Sequence, residues 1–258
     1  MVLRHILLWP WRGLFISVRD FLDGLQYLIT SRDNLPNRRG LDFLVLLQIF
    51  IGMIVSWWIY VPVHELLHAA GCMITGGTVI QLNIAPHYGG HLLARIFPFI
   101  QTGGDYAGRL VGFETGGSDL CYLFTVFAPY LLTLIMGAML LRSSFSRRYP
   151  LLFGAGLIIA FAPFISVTGD YYEMGSILIT RVMGSLFPSS PWEAFRSDDV
   201  FRLLQGIVND PAAFNMYGSL AKVRALMMIV ASFALGLFLA GLTYLGSVNL
   251  LNCFRQKK

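Results

Sequence analysis

Four long apolar runs, separated by polar segments, set the pattern of this chain. About twenty apolar residues cross the hydrocarbon core of a bilayer, so each run predicts a membrane-spanning helix. The third run continues apolar beyond its predicted span to Leu186. This pattern predicts an all-α polytopic membrane protein with about four transmembrane helices. The predicted spans cover residues 42–62, 119–141, 150–170 and 225–246.

The first 30 residues predict an amphipathic helix that lies in the membrane interface. Leucines and phenylalanines supply its apolar face, whereas charged residues such as Arg19 and Asp20 interrupt any spanning run. Trp9 and Trp11 suit the headgroup layer of the membrane. No small-residue cleavage site follows this stretch, so the sequence does not predict a signal peptide.

Glycine pairs punctuate the segment between the first two spans, where two runs of β-prone residues cover 78–84 and 91–100. This pattern predicts a small membrane-proximal β-hairpin or sheet. His87 and His91 fall in its glycine-rich turn, and exposed turn histidines are favoured over extra metal ligands or contacts to a substrate carbonyl. The chain is predicted to divide into an N-terminal helix and loop, a membrane core, and an amphipathic loop with the last span, at residues 1–40, 41–180 and 181–258.

Composition agrees with a membrane protein, because the 258 residues are 56% hydrophobic and only 13% charged. The net charge of +5 comes without a basic helix face or zinc-finger spacing, so no nucleic-acid partner is predicted. Twelve Lys and Arg residues lie in the segments on the side of both termini, and seven lie on the other side. This bias predicts cytoplasmic termini and an outward-facing site. The expected location is the cytoplasmic membrane of a bacterium.

The first span runs without a break into VHELLHAAGCMITGG, which contains the H-E-x-x-H signature. His64 and His68 are four residues apart, so a helix places them on one face, where they can hold one metal ion. Glu65 follows the first ligand directly and can act as general base toward a water on that metal. The alternative is a pair of ordinary interfacial histidines, although two imidazoles and a carboxylate are costly in apolar surroundings unless they bind or react.

A catalytic zinc site takes three protein ligands and leaves one position open. Twenty residues from the start of the third span bring the chain to Asp170, at the same membrane depth as the two histidines. Gly169 before it allows the backbone to bend. Glu173, one turn later, is the alternative as a ligand or as a partner of a histidine. Asp119 is better explained as the N-cap of the second span, so Asp170 is the predicted third ligand.

The three cysteines form no disulfide framework, because their number is odd and each lies in or beside an apolar segment. Cys72, Cys121 and Cys253 are therefore predicted to pack in the core. Cys72 lies one helical turn beyond His68 and is a further candidate ligand, but the packing interpretation is favoured.

Three motifs follow one another along the predicted spans: His64-Glu65-x-x-His68, Ala128-Pro129 and Gly169-Asp170. Together they resemble the core of the site-2 protease-type intramembrane zinc metallopeptidases, over roughly residues 43–180. The resemblance implies that the two histidines and Asp170 bind zinc and that Glu65 activates the water. Asp170 is followed by Tyr171 and not by the glycine of that family's Leu-Asp-Gly motif, which is typical of a divergent branch.

The sequence thus predicts a membrane-embedded zinc metalloendopeptidase that hydrolyses peptide bonds in or near the membrane. Its expected cofactor is Zn²⁺, and its expected partners are a membrane protein or peptide substrate and the lipid bilayer. The β-prone segment is expected to pair with an unwound substrate by strand addition. The alternatives are a zinc hydrolase of another amide or lipidated peptide and a non-catalytic metal-binding membrane module. Glu65 argues against the module, because a structural zinc site has no use for a base and usually fills all four positions.

Overall fold

The computed structural model describes residues 2–30, 43–104, 106–189, 192–209 and 220–256. Its α-helices are α1 (Val2–Thr30), α2 (Phe43–Ile74), α3 (Gly90–Ile96), α4 (Asp119–Phe127), α5 (Ala138–Ser146), α6 (Pro150–Ile165), α7 (Asp170–Leu186), α8 (Val200–Asn209) and α9 (Ala221–Gln256). Its strands are β1 (Thr78–Ile84), β2 (Ile100–Thr102) and β3 (Gly108–Glu114). The predicted all-α class with a small β region is confirmed.

Four helical segments of the described chain are long and apolar enough to cross a membrane, and they follow the order of the predicted spans. They are Phe43–Ile74, Asp119–Ser146, Pro150–Thr168 and Ala221–Gln256. The first, second and fourth extend beyond their predicted ends at residues 62, 141 and 246. Hydropathy predicts only the apolar part of a helix that lies in the membrane. The helix itself can continue into more polar sequence where the residues are good helix formers.

The second spanning segment is not a regular helix. Pro129 lies in a 3-10 turn, Ala128–Tyr130, directly after α4. A π-helical turn, Thr133–Gly137, then leads into α5. Proline lacks an N–H and clashes with the preceding turn, so a helix that continues past it changes its hydrogen-bonding pattern locally. Tyr130 is fully buried at this irregular point.

The strands form one sheet in the order β2–β1–β3, with β1 parallel to β2 and antiparallel to β3. β1 covers the residues predicted for it. The prediction of a strand at 91–100 is wrong, because that run forms α3 and then enters β2, so the region is a sheet and not a hairpin. Gly89, with a φ of 83°, turns the chain before α3. The apolar residues that follow have helical spacing, which outweighs their β propensity.

The sheet packs on the C-terminal part of α2, the part that carries the H-E-x-x-H motif. Leu82 and Ile84 of β1 and Ile100 of β2 form one buried cluster with Ala69 of α2. Leu66, inside the motif, packs against the same cluster. The sheet therefore supports the helix face next to the two histidines.

The chain forms two compact units. Unit 1 comprises Met1–Ala162 and Leu242–Lys258, and unit 2 comprises Pro163–Gly241. Unit 1 includes the sheet and the H-E-x-x-H motif, and unit 2 includes α7 and α8. The core of unit 2 is made of the buried side chains of Tyr172, Phe195, Val200, Leu203, Ala221, Ala225, Met228 and Ile229.

Asp20, one of the charged residues that interrupt the apolar pattern of α1, is buried in unit 1 and only 6% exposed. Its carboxylate accepts hydrogen bonds from the Arg142 guanidinium at 2.9 Å and from the Tyr244 hydroxyl at 2.7 Å. A buried carboxylate is tolerated when its charge is paired and its oxygens are hydrogen-bonded. This cluster ties α1 to α5 and to the C-terminal part of α9.

Two tyrosine hydroxyls give opposite expectations for the same substitution. Tyr244→Phe removes a donor from a buried carboxylate, so it should lower the free energy of unfolding by about 1.5–3 kcal/mol.

In unit 2, burial and the charge of Asp199 raise the pKa of Tyr172 to about 12. The Tyr172 hydroxyl is buried and has no hydrogen-bond partner among the described residues, so Tyr172→Phe should leave stability unchanged or higher.

The measurement is the unfolding midpoint of each purified variant in one detergent, with the wild-type protein alongside. An equal loss of stability in both variants would contradict the assignment of Tyr244 as the donor to Asp20.

Candidate metal centre

His64 and His68 lie one turn apart on α2, and their Nε2 atoms are 3.0 Å from each other. The two rings meet edge to face, with centroids 4.6 Å apart. In a tetrahedral zinc site with Zn–N bonds of about 2.0–2.1 Å, two ligand nitrogens lie about 3.4 Å apart. The structure therefore brings the two predicted histidine ligands to one point, where a small rotation of the rings admits one ion.

The second ring nitrogen of His68, Nδ1, is hydrogen-bonded to the backbone of α4. His68 Nδ1 donates to the carbonyl oxygen of Thr125 at 2.8 Å, and the His68 side chain is buried. A carbonyl oxygen only accepts, so Nδ1 carries the hydrogen and Nε2 of the neutral ring presents its lone pair. Metal-binding histidines are commonly oriented by such a bond from their second nitrogen.

The second ring nitrogen of His64, Nδ1, contacts a side chain of the same helix. His64 Nδ1 lies 3.0 Å from the Tyr60 hydroxyl, and the Tyr60 ring is 5.3 Å from the imidazole. On another side the ring of Tyr130 lies 5.6 Å from the imidazole in an edge-to-face contact. Both ring contacts and the hydroxyl contact therefore hold His64 in one orientation.

The 3.0 Å approach of the two Nε2 atoms requires a hydrogen atom or a cation between them. Nε2 of His68 carries a lone pair, and a second lone pair at this distance would be repelled. Either His64 donates a proton from its own Nε2, or a cation binds both nitrogens. The two Nε2 atoms are thus suited to bind one metal ion in place of the hydrogen that lies between them.

Close packing of α2 on α4 brings the Thr125 carbonyl to His68. A Cβ atom at Gly71 would lie 2.5 Å from Cβ of Ala128 and 3.1 Å from the carbonyl oxygen of Phe124. Real side chains do not approach so closely, so this position of α2 requires glycine. The glycine lies one turn beyond His68 and allows the two helices to meet at the ligand.

Glu65, the predicted general base, is half-buried and packs against the start of β3. A Cβ atom at Gly108 would overlap Cγ of Glu65 and lie 3.0 Å from its carboxylate carbon. The absence of a side chain at Gly108 therefore makes room for Glu65 between α2 and the sheet. Its role as a base stays a prediction.

Asp170 and Glu173, the predicted third ligand and its alternative, both lie in the first turn of α7 in unit 2. Asp170 begins the helix directly after Gly169, and both carboxylates are half-buried. A negative charge in the first turn is favoured by the helix dipole, which is sufficient reason for either acid to lie there. Their part in metal binding stays a prediction.

Two further predictions for acidic and thiol side chains need correction. The N-cap of α4 is Ser118, whose hydroxyl accepts from the backbone N–H of Cys121, and Asp119 is the first residue inside the helix. Serine is a favoured cap, so the cap lies one residue earlier than predicted. Cys72 and Cys121 are buried as predicted, but Cys253 is exposed near the end of α9.

His87 and His91 are exposed, as favoured from the sequence. His87 lies in a 3-10 turn, and its carbonyl accepts from the indole N–H of Trp58 at 2.6 Å. His91 lies in α3 and not in that turn. Neither histidine belongs to a group of three metal-binding side chains among the residues that the structure describes.

No role at the site is predicted from the sequence for Tyr60, Thr125 or Gly108. Tyr60 follows a recognisable signal, because Tyr60, His64 and His68 repeat every four residues and so share one helix face. No local pattern indicates the Thr125 carbonyl or the space at Gly108. Both depend on which elements pack against α2.

No protein-family model matches this chain, and no curated protein or solved structure matches it either. The resemblance to site-2 proteases therefore rests on the sequence motifs alone.

Proposed function

We propose that this chain is a membrane-embedded zinc metalloendopeptidase that cleaves peptide bonds in or near the membrane. The observation that carries the proposal is the convergence of two histidine Nε2 atoms at 3.0 Å, on a helix long and apolar enough to span a membrane. The second nitrogen of each ring already has a partner, Thr125 or Tyr60. Both features are those of a metal ligand pair.

Asp170 is proposed to complete the set of protein ligands. Two imidazoles and one carboxylate suit zinc and leave a position open for water and substrate. The choice of Asp170 is supported by its residue type and by its predicted membrane depth, with Glu173 as the alternative. When bound, zinc supplies a Lewis acid that makes a water acidic near neutral pH and polarises the scissile carbonyl.

Glu65 is proposed to handle the proton of the reaction. Its carboxylate takes a proton from the attacking water and returns it to the nitrogen of the leaving amine. This role is supported by the position of Glu65 directly after His64. It is also supported by the packing of Glu65 against Gly108, which limits the rotation of the side chain. A carboxylate directly after the first ligand favours an enzyme over a structural metal module, which has no use for a base.

The substrate is proposed to be a membrane protein or peptide that unwinds locally, because carbonyls within a helix are already hydrogen-bonded. In the order β2–β1–β3, β3 is an edge strand. Gly108, at the start of β3, lies against Glu65. An extended substrate that adds to the outer edge of β3 would therefore run past the proposed base.

The protein is proposed to be a multi-pass protein of a bacterial cytoplasmic membrane, with both termini in the cytoplasm. Four described segments are long and apolar enough to cross a membrane. The orientation is supported by the twelve Lys and Arg residues on the side of the termini, against seven on the other.

Metal removal tests the proposed function. Purified protein in lipid vesicles should cleave a membrane-anchored reporter whose single helix contains glycine and asparagine, because such a helix unwinds easily. Removal of zinc with a chelator should abolish cleavage, and addition of zinc should restore it. Cleavage that persists in protein shown by metal analysis to be free of zinc would contradict the proposal.

A further inference from the structure

We propose that Tyr60 is a positioning residue of this metal site and that its hydroxyl orients His64 toward the ion. The inference rests on the proposed zinc site and concerns how that site binds its metal. It starts from the repeat of Tyr60, His64 and His68 along one face of α2. Residues four apart on a helix are neighbours, so each side chain can contact the next.

The contact between Tyr60 and His64 is both short and shielded from water. The Tyr60 hydroxyl lies 3.0 Å from His64 Nδ1, and Tyr60 is 8% exposed. Water therefore competes little for this hydrogen bond, which makes its loss more costly than at an exposed site. A free imidazole could rotate about its bonds, whereas this one is held with Nε2 directed at His68.

A hydroxyl suits this position better than a carbonyl, because it can both donate and accept. The bond from His68 to the Thr125 carbonyl allows only one arrangement, with the hydrogen on Nδ1. His64 must change its arrangement when a metal replaces the proton between the two Nε2 atoms. In the metal-free pair, Tyr60 donates to Nδ1 of His64, and in the metal-bound pair it accepts from Nδ1.

Packing of the aromatic ring is a separate contribution. The centroid of the Tyr60 ring lies 5.3 Å from that of the His64 imidazole and 6.5 Å from that of the Trp57 ring. Tyr60→Phe keeps the ring and removes only the oxygen. It therefore isolates the hydroxyl, and the variant should fold as the wild-type protein does.

The test compares zinc binding by wild-type protein, Tyr60→Phe and Tyr149→Phe, with a chromophoric chelator as the competitor for zinc. Loss of a hydrogen-bond partner of a metal ligand typically weakens metal binding by roughly 10- to 100-fold, and we expect this loss for Tyr60→Phe. Tyr149 is 53% exposed and lies directly before the third span, so Tyr149→Phe should bind zinc as the wild-type protein does. Unfolding of the metal-free proteins shows whether each variant is folded.

Cobalt supplies a second measurement that a purely structural role would not change. The visible absorption bands of Co²⁺ bound in place of zinc report the geometry of the ligands, so Tyr60→Phe should shift them and Tyr149→Phe should not. Wild-type zinc affinity and a wild-type cobalt spectrum in folded Tyr60→Phe would overturn the role of Tyr60 and leave the proposed function standing. Failure of the wild-type protein to bind zinc would overturn both.

Discussion

Glu65→Gln is expected to retain zinc and to lose roughly 10²- to 10⁴-fold in turnover, the usual contribution of a general base. Glutamine has nearly the same shape as glutamate, so the packing against Gly108 should persist. The amide cannot take a proton from water. The measurements are zinc content and cleavage of the membrane-anchored reporter, each determined on the same preparation.

Glu114→Gln is the matched control for this substitution. Glu114 is the last residue of β3 and is exposed, so the same chemical change there should leave both zinc content and turnover as in the wild-type protein. If Glu65→Gln cleaves as well as the wild-type protein, the protease assignment is wrong. The metal-dependent structural module would then be the better account.

Asp170→Ala should remove zinc as well as activity, because the site would keep only two protein ligands. His68→Ala should do the same and lose in addition its bond to the Thr125 carbonyl. Glu173→Ala removes a carboxylate from the same first turn of α7. It should retain zinc if Asp170 is the ligand.

The two carboxylates of α7 thus act as controls for each other. Zinc loss in Glu173→Ala, with zinc retained in Asp170→Ala, would transfer the ligand role to Glu173. Retention of zinc in both variants would exclude α7 as the source of the third ligand. Zinc content is measured on folded protein in each case, so a folding defect is not mistaken for loss of a ligand.

The geometry of the histidine pair could be predicted from the sequence because it depends on one helix. A spacing of four residues places His64 and His68 on the same face whatever packs around them. The spans could also be predicted, since each depends on the sum of many apolar residues. Pro62 did not end α2, so the motif remained on the spanning helix, as the unbroken apolar run indicated.

The groups that orient the two histidines depend on tertiary packing. The Thr125 carbonyl reaches His68 only because α4 approaches α2 at Gly71. Every backbone carbonyl looks alike in a sequence, so none could be singled out. Tyr60 does carry a signal in the sequence, because it lies one turn before His64 on the same helix face.

The sheet region shows the limit of local propensity. β1 was predicted correctly from its run of β-prone residues. The later run was assigned to a strand because it is also β-prone, yet it forms α3 after the left-handed Gly89. The burial of Asp20 could not be predicted from the local sequence either. It depends on Arg142 and Tyr244, which lie more than a hundred residues away in the sequence.

X-ray absorption at the zinc edge identifies the ligands of the metal and their distances. On zinc-loaded protein, with the metal content determined in parallel, we expect one zinc per chain. We also expect two imidazole nitrogens and further oxygen ligands, all at about 2.0–2.2 Å. A protein that binds no zinc, or a zinc with sulfur ligands at about 2.3 Å, would contradict it.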